Sequence, residues 1–186
     1  WKEGTTVLAT SASADVVLQL FNYTFDGFVT SFFTPVISGA RVVLPTREKI
    51  TDLTAMKQAI LKHRVSHFIS VPALFRAFLE GLDRETFNRL KVVTLAGDML
   101  SPQLVELTRQ KNSNLRLSHE YGVTEAAVMS TLNPHQEKDN RVTIGTPIGN
   151  TRIYIVDRYD ELQPIGVAGE MLIGGAGIAR GYLNNP

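Results

Sequence analysis

The sequence predicts an α/β fold: a parallel sheet flanked by helices, followed by a small β-rich segment. Three observations predict it. Strand-like apolar runs and helix-like periodicities alternate from Val16 to Leu117, the pattern of a parallel sheet with covering helices. The chemically interesting residues fall just after the strand-like runs, where parallel sheets bind their ligands. After about residue 140, glycines and prolines punctuate strand-like runs with no helical pattern between them. The expected division is residues 1–140 as an α/β subdomain and 141–186 as the β-rich segment.

Each element has its own signal. Val16 to Leu20 reads as a buried strand. Phe25 to Ile37 has a helical tendency, with Asp26, Thr30 and Phe33 spaced to share one face. Asp26 is itself suited to cap that helix. Arg41 to Leu44 is a second strand, closed by Pro45. Thr51 or Asp52 can cap the next helix, whose Leu53, Met56 and Ile60 recur at helical spacing. His67 to Val71 is a strand stopped by Pro72. Ala73 to Leu79 is a helix burying Leu74, Phe75 and Phe78, ended near Gly81. Leu90 to Leu95 is the next strand. Ser101-Pro102 then reads as a cap with proline at the first helical position, and Leu104 and Leu107 are expected to face inward. Leu115 to Leu117 is a short strand. Arg152 to Asp157 and Glu170 to Ile173 are strands of the β-rich segment, expected to form a small barrel-like unit or sheet.

Composition narrows the function classes. The 186 residues can bury a core without staples. A net charge of +1 with no basic run gives no reason to expect nucleic acid. The absence of cysteine removes thiol catalysis, disulfides and cysteine–metal sites, and fits a reducing, cytoplasmic setting. Gln19, Asn22, Asp26 and Pro35 interrupt the most apolar stretch, so no membrane span is expected. Trp1-Lys2-Glu3-Gly4 is polar and does not read as a signal peptide. Trp1 is not an initiator methionine and Asn184-Asn185-Pro186 reads as a continuing loop, so an excised segment is expected.

The stretch Ser118 to Ala127 is the richest in chemistry. Gly122 allows a sharp turn at a strand's carboxyl end. That turn would present an aromatic (Tyr121), a hydroxyl (Thr124) and a carboxylate (Glu125), groups that can stack on a base, bond a phosphate oxygen and hold Mg²⁺. The same residue types also suit an ordinary strand-to-loop turn with a polar rim. Other signals fail. Gly174-Gly175-Ala176-Gly177 lacks the spacing and following helix of a dinucleotide site. There is no Walker loop and no Gly-x-Ser-x-Gly elbow. His63 and His67 read as a helix end and a core histidine rather than zinc ligands.

Three stretches in order resemble the adenylate-forming superfamily, most closely the amino-acid adenylation domains of nonribosomal peptide synthetases. Phe25-Asp26, with the approach from Asp15 to Gln19, is similar to the family's fourth core motif. Glu120-Tyr121-Gly122-Val123-Thr124-Glu125 is similar to the fifth, and Gly169 to Tyr182 to the sixth. His119 departs from the family's usual Asn, which touches adenine; Val123 replaces the usual Pro; and Ala96-Gly97-Asp98 replaces the commoner Gly-Gly-Glu or Ala-Gly-Gly.

The resemblance implies a flavodoxin-like subdomain and a ligase reaction. A substrate carboxylate attacks the α-phosphate of ATP, pyrophosphate leaves, and the aminoacyl group passes from AMP to a phosphopantetheine thiol on a peptidyl carrier protein. It implies that Thr124 and Glu125 are catalytic, that Glu125 holds Mg²⁺, and that Gly97, Tyr121, Gly122 and Thr124 contact the nucleotide. Asp26 would pair with the α-ammonium. Gly27, Thr30, Ser70, Thr94, Ala96, Glu120, Val128 and Met129 would line the side-chain pocket. Small residues at Gly27, Thr30 and Ala96 with hydrogen-bonding groups at Thr30, Ser70, Thr94 and Glu120 suit a large side chain with a polar tip, best tyrosine; Glu120 keeps a basic substrate such as ornithine in view. The family's phosphate loop, ribose-binding aspartate and catalytic lysine lie outside these residues, so the isolated chain is expected to be inactive without the rest of the domain. The alternatives are a segment of an acyl- or aryl-CoA ligase and a non-catalytic grafted binding subdomain.

Overall fold

The computed structural model describes residues 15–184. The opening Trp1–Gly4 stretch and the closing Asn185-Pro186 lie outside them. Nine strands and six helices occur among the described residues. In chain order they are β1 (Val16–Leu18), α1 (Gly27–Ile37), β2 (Arg41–Val43), α2 (Arg47–Ile50), α3 (Leu53–His63), β3 (His67–Ser70), α4 (Pro72–Gly81), α5 (Arg84–Phe87), β4 (Val92–Leu95), α6 (Pro102–Lys111), β5 (Arg116–Tyr121), β6 (Thr131–Asn133), β7 (Thr146–Pro147), β8 (Thr151–Val156) and β9 (Glu170–Gly175).

The large sheet has the order β2-β1-β3-β4-β5-β6-β7. Its first five strands pair parallel in the flavodoxin-like order 2-1-3-4-5. β6 and β7 extend it antiparallel, so the sheet continues past residue 140. β8 and β9 form a separate antiparallel pair, so the β-rich segment contains a two-stranded sheet rather than a barrel.

Register explains the core. Leu18 aligns with Phe68, Phe68 with Val93, and Val93 with Leu117. This row packs with Met56 and Ile60 of α3, Phe75 and Phe78 of α4, Phe87 of α5 and Leu104 of α6. Right-handed crossovers require this segregation: the β2–β3, β3–β4 and β4–β5 connections step across the sheet in one direction, the β1–β2 connection in the other. α1 therefore lies on the opposite face from α3, α4 and α6.

Local chemistry sets the ends. The Asp52 carboxylate accepts from the Thr54 and Ala55 amides at 2.8 and 3.2 Å, so Asp52, not Thr51, caps α3. Ser101 caps α6 by accepting from the Leu104 amide, with Pro102 at the first helical position. Two expectations fail. Leu107 is 38% exposed while Leu104 is buried, because Val105 and Thr108 complete the inner face of α6. Asp26 makes no side-chain cap to α1; its carboxylate is engaged elsewhere.

Candidate active site

The 2-1-3-4-5 order reverses direction between β1 and β3, and the crevice beyond the carboxyl ends of those strands is where such sheets bind ligands. Asp26 follows β1, Ser70 ends β3, Ala96 and Gly97 follow β4, and Glu120 and Tyr121 end β5. Four chain segments thus meet at one sheet edge.

One bond joins the two halves of this site. The Thr124 hydroxyl donates to the Asp26 carboxylate at 2.6 Å, across 98 residues of sequence. Asp26 is free to accept it because it does not cap its own helix. Gln19 helps to seat α1: its Oε1 accepts from the Phe21 amide at 2.8 Å and lies 3.0 Å from the Ser31 hydroxyl. Thr30, one turn beyond Asp26, is half-buried, with its hydroxyl 3.2 Å from the Gly27 carbonyl. The room beside Gly27 is not empty: a β-carbon there would stand 3.0 Å from the Phe21 ring.

The sheet floor follows from strand alternation. Thr94 aligns with Ser118, so Thr94, Ser118 and Glu120 share the face opposite the main core. The Thr94 hydroxyl is buried and finds no hydrogen-bond partner among the described residues, a costly state that a polar ligand would relieve. Glu120 is 7% exposed. It lies within the strand, which runs to Tyr121 rather than ending at Leu117. Burial first, and the negative charge of Asp26 second, push its carboxyl up to about 7. Ser70 departs from this set. It aligns with Leu95, one residue out of phase with Thr94, and its hydroxyl donates to the Val71 carbonyl at 3.1 Å. Register thus groups Thr94 and Glu120 and leaves Ser70 in the other row.

The turn after β5 differs from the sequence expectation. Gly122 does not adopt a left-handed conformation; that region is taken by Ala127 (φ 56°) and Val128 (φ 76°). Glycine is required because a β-carbon at 122 would lie 1.6 Å from the Val128 carbonyl oxygen. Val128 is β-branched, so its backbone is strained beside the site. Val128 and Met129 are half-buried, and Met129 packs with Val92 and Leu132 on the α1 side of the sheet. Gly97 is left-handed (φ 80°), and a β-carbon there would meet only Val71 at 3.6 Å, so conformation accounts for glycine at this position.

His119 and Tyr182 complete the surroundings. His119 is buried, and its Nδ1 lies 2.8 Å from the Thr143 carbonyl; burial holds its imidazole below the usual range. Glu125 is exposed. Its Oε1 accepts from the Tyr182 hydroxyl at 3.1 Å, and its backbone carbonyl accepts from the Ala179 amide at 2.8 Å. The Gly169–Tyr182 motif is thereby seated on the 121–125 turn. The roles of Gln19, Ser31 and Tyr182 escape residue-by-residue reading; for Gln19 and Tyr182 the signal is that each lies within or beside a core motif. No group of three His, Asp or Glu side chains forms a metal site among the described residues. A single exposed carboxylate such as Glu125 still suits Mg²⁺, which binds through one or two carboxylates together with substrate phosphates.

The profile of the AMP-binding enzyme family matches residues 3–183. The chain belongs to that family. Among curated proteins, this family member is 45% identical over 173 residues to tyrocidine synthase 3 of Brevibacillus parabrevis, covering 93% of the chain and 3% of that protein. It is also 42% identical over 172 residues to gramicidin S synthase 2 of Brevibacillus brevis, covering 92% of the chain and 4% of that protein. Among solved structures it resembles the nonribosomal peptide synthetase FmoA3 in its α-methyl-L-serine-AMP bound form (TM-score 0.84, 31% identity, 94% of this chain and 21% of that one). It also resembles the N-terminal subdomain of Klebsiella oxytoca NpsA with 3-hydroxyanthranilyl-AMSN (TM-score 0.79, 25% identity, 94% of this chain and 43% of that one). The resemblance read from three motifs therefore holds: sequence and fold both group this member of the AMP-binding enzymes with nonribosomal peptide synthetase adenylation domains. The chain spans 3–4% of the length of these curated relatives and less than half of each of these solved structures. No helix among the described residues is long and apolar enough to cross a membrane.

Proposed function

We propose that this chain is the amino-acid-selecting part of an adenylation domain. The domain would activate an α-amino acid, best tyrosine or another large side chain with a polar tip, as its aminoacyl-AMP. The observation that supports this reading is the Thr124–Asp26 hydrogen bond, which joins the carboxylate proposed for the substrate's ammonium to the turn proposed for the nucleotide. The substrate's ammonium replaces the Thr124 hydroxyl at Asp26, and the hydroxyl then serves a phosphate oxygen. The substrate carboxylate attacks the α-phosphorus, the bond to pyrophosphate breaks, and aminoacyl-AMP forms. A carrier-protein phosphopantetheine thiol next attacks the acyl carbon and AMP leaves. Glu125 would hold Mg²⁺ together with the nucleotide phosphates, and the ion would supply neutralisation of phosphate charge.

Tyr121 would stack on the adenine, with Gly97 leaving the backbone open beside the nucleotide and Gly122 letting the turn close tightly on Val128 next to it. Thr30, Thr94 and Glu120 would bond the side-chain tip, and Gly27, Ala96, Val128 and Met129 would shape the walls, while Ser70, in the other row of the sheet, would act only through the backbone that ends β3. The orphan Thr94 hydroxyl supports a polar tip, since a site built for a hydroxyl strongly rejects substrates that lack one. Residues 1–140 supply selection, and the β-rich 141–186 segment buttresses the turn.

The test replaces the homologous segment of a complete adenylation domain with this chain and scans amino acids by ATP–pyrophosphate exchange. Tyrosine or a similar polar-tipped amino acid should drive exchange, and Asp26→Ala should abolish it. Exchange driven only by carboxylic acids without an α-amine would sink the reading in favour of an acyl- or aryl-CoA ligase. The 186-residue chain alone should show none.

A further inference from the structure

The loop after β9 closes on the turn that carries Glu125. That turn, Thr124–Ala126, is a single 3₁₀ turn ended by left-handed Ala127. Three contacts reach it from the loop. The Gly177 backbone comes so close that a β-carbon there would stand 3.1 Å from the Ala126 carbonyl oxygen. The Ala179 amide donates to the Glu125 carbonyl at 2.8 Å. The Tyr182 hydroxyl donates to Glu125 Oε1 at 3.1 Å, across 57 residues of sequence. The loop is itself anchored at its start, where the Ala176 amide donates to the Asn150 carbonyl at 3.1 Å. Two of the three contacts hold backbone. The third holds the one side chain of the turn that suits a cation.

Two neighbouring residues are thus tied to different partners. Thr124 donates to Asp26, and Glu125 accepts from Tyr182. The division matters because Asp26 and Glu125 are both carboxylates, and an ammonium or a metal ion is drawn to either. Glu125 is exposed, and a glutamate loses much rotamer freedom when a ligand fixes it. A phenol bonded to one oxygen narrows that freedom before any ligand arrives, which lowers the cost of binding. Among the described residues only Oε1 is engaged, so Oε2 stays open. The donor is also neutral. It steadies the carboxylate without cancelling the charge that a cation needs, whereas a lysine or arginine in its place would compete with the ion.

We infer that Tyr182 is a positioning residue: its hydroxyl orients the Glu125 carboxylate toward the nucleotide-bound cation and so sets metal affinity without touching the metal. This role rests on the cation-holding role proposed for Glu125.

The test uses the complete chimeric domain described above, with Mn²⁺ as the probe. Binding of a non-hydrolysable ATP analogue is measured with and without Mn²⁺, and the ratio of the two affinities reports the cation's share with no turnover. Tyr182→Phe removes a single oxygen. It should lower that ratio about fivefold and leave metal-free analogue binding and the thermal midpoint unchanged. In a Glu125→Gln background, where the ratio is already low, Tyr182→Phe should change nothing further. Protection of the Ala179 amide from exchange should be equal in parent and variant, which separates the hydroxyl from the loop that carries it. An unchanged ratio in Tyr182→Phe overturns the proposal. So does lost Ala179 protection, since Tyr182 would then act by holding the loop. If Glu125→Gln leaves the ratio intact, the cation is held elsewhere and the proposal falls. A ratio lowered by Tyr182→Phe in a chimera that activates no amino acid would uphold the positioning role while removing the proposed function.

Discussion

Glu120 and Gly122 stand two residues apart and are constrained for opposite reasons. Glu120 is raised from 4.5 to about 7 by burial and by Asp26. A raised carboxyl contributes its full stability below pH 4.5 and loses it as pH rises through 7, a difference of about 3 kcal/mol at pH 8. Glu120→Gln keeps the shape and removes the charge. Urea denaturation should find this variant more stable than the parent by up to about 3 kcal/mol at pH 8, and equal to it at pH 4. A native carboxylate that destabilises its own fold is the pattern of a residue kept for use. Gly122 is constrained by packing. A methyl group there meets the Val128 carbonyl, so Gly122→Ala should cost about 3 kcal/mol or more, read as a lowered urea midpoint. Gly122 was legible in the sequence as a required glycine. The reason was not, because the close approach comes from a residue six positions later whose own backbone is strained.

At the scale of elements, periodicity and caps were reliable where the pattern was strong. Strands β1, β2, β3 and β4 and helix α4 lie within a residue or two of the expected bounds, and α3 and α6 begin at the expected caps. Their apolar spacing reflects burial against one large core, and caps act through bonds two or three residues away. Asp52→Ala should destabilise the chain by about 1 kcal/mol, because two amides lose their acceptor. Thr51→Ala should leave the thermal midpoint unchanged, and a reversal of the two effects would refute the cap assignment. Short elements were not legible. β6 and β7 have three and two residues, too few for periodicity, and exist because the edge of β5 offers unpaired backbone groups. Leu107 was misplaced by counting apolar residues without knowing that Thr108 would be buried, where its hydroxyl bonds the Leu104 carbonyl at 2.7 Å.

Across the whole molecule, two buried groups on the α1 face of the sheet pull pH dependence in opposite directions. His67 is buried beside Ser66, whose hydroxyl lies 2.7 Å from its Nδ1. Burial lowers its imidazole from 6.5 to about 4, against the opposing pull of Asp15. A depressed histidine contributes stability above pH 6.5 and loses it as pH falls through 4, about 3 kcal/mol in all. Between pH 4.5 and 6.5 the losses at His67 and Glu120 run in opposite senses, so the two contributions nearly cancel. Glu120→Gln should expose the acid-side loss as a stability that falls steadily from pH 6.5 to 4. His67→Leu combined with Glu120→Gln should flatten it again. A single variant with no slope over that range would show that His67 titrates normally in the fold.

Fold class, most element positions and family membership were settled by the sequence itself, because alternating periodicities and ordered motifs are local or nearly local signals. So was the set of residue types at the site, since chemistry is written in side chains. Tertiary structure alone decided which of them meet. Sheet register grouped Thr94 with Glu120 and set Ser70 in the other row. The order 2-1-3-4-5 brought Asp26 to Thr124 across 98 residues. Crossover handedness isolated α1 on its own face, where Phe25, Val29, Phe33, Val36 and Ile37 are exposed. Those outcomes depend on pairings between distant strands, and no window of sequence contains both partners.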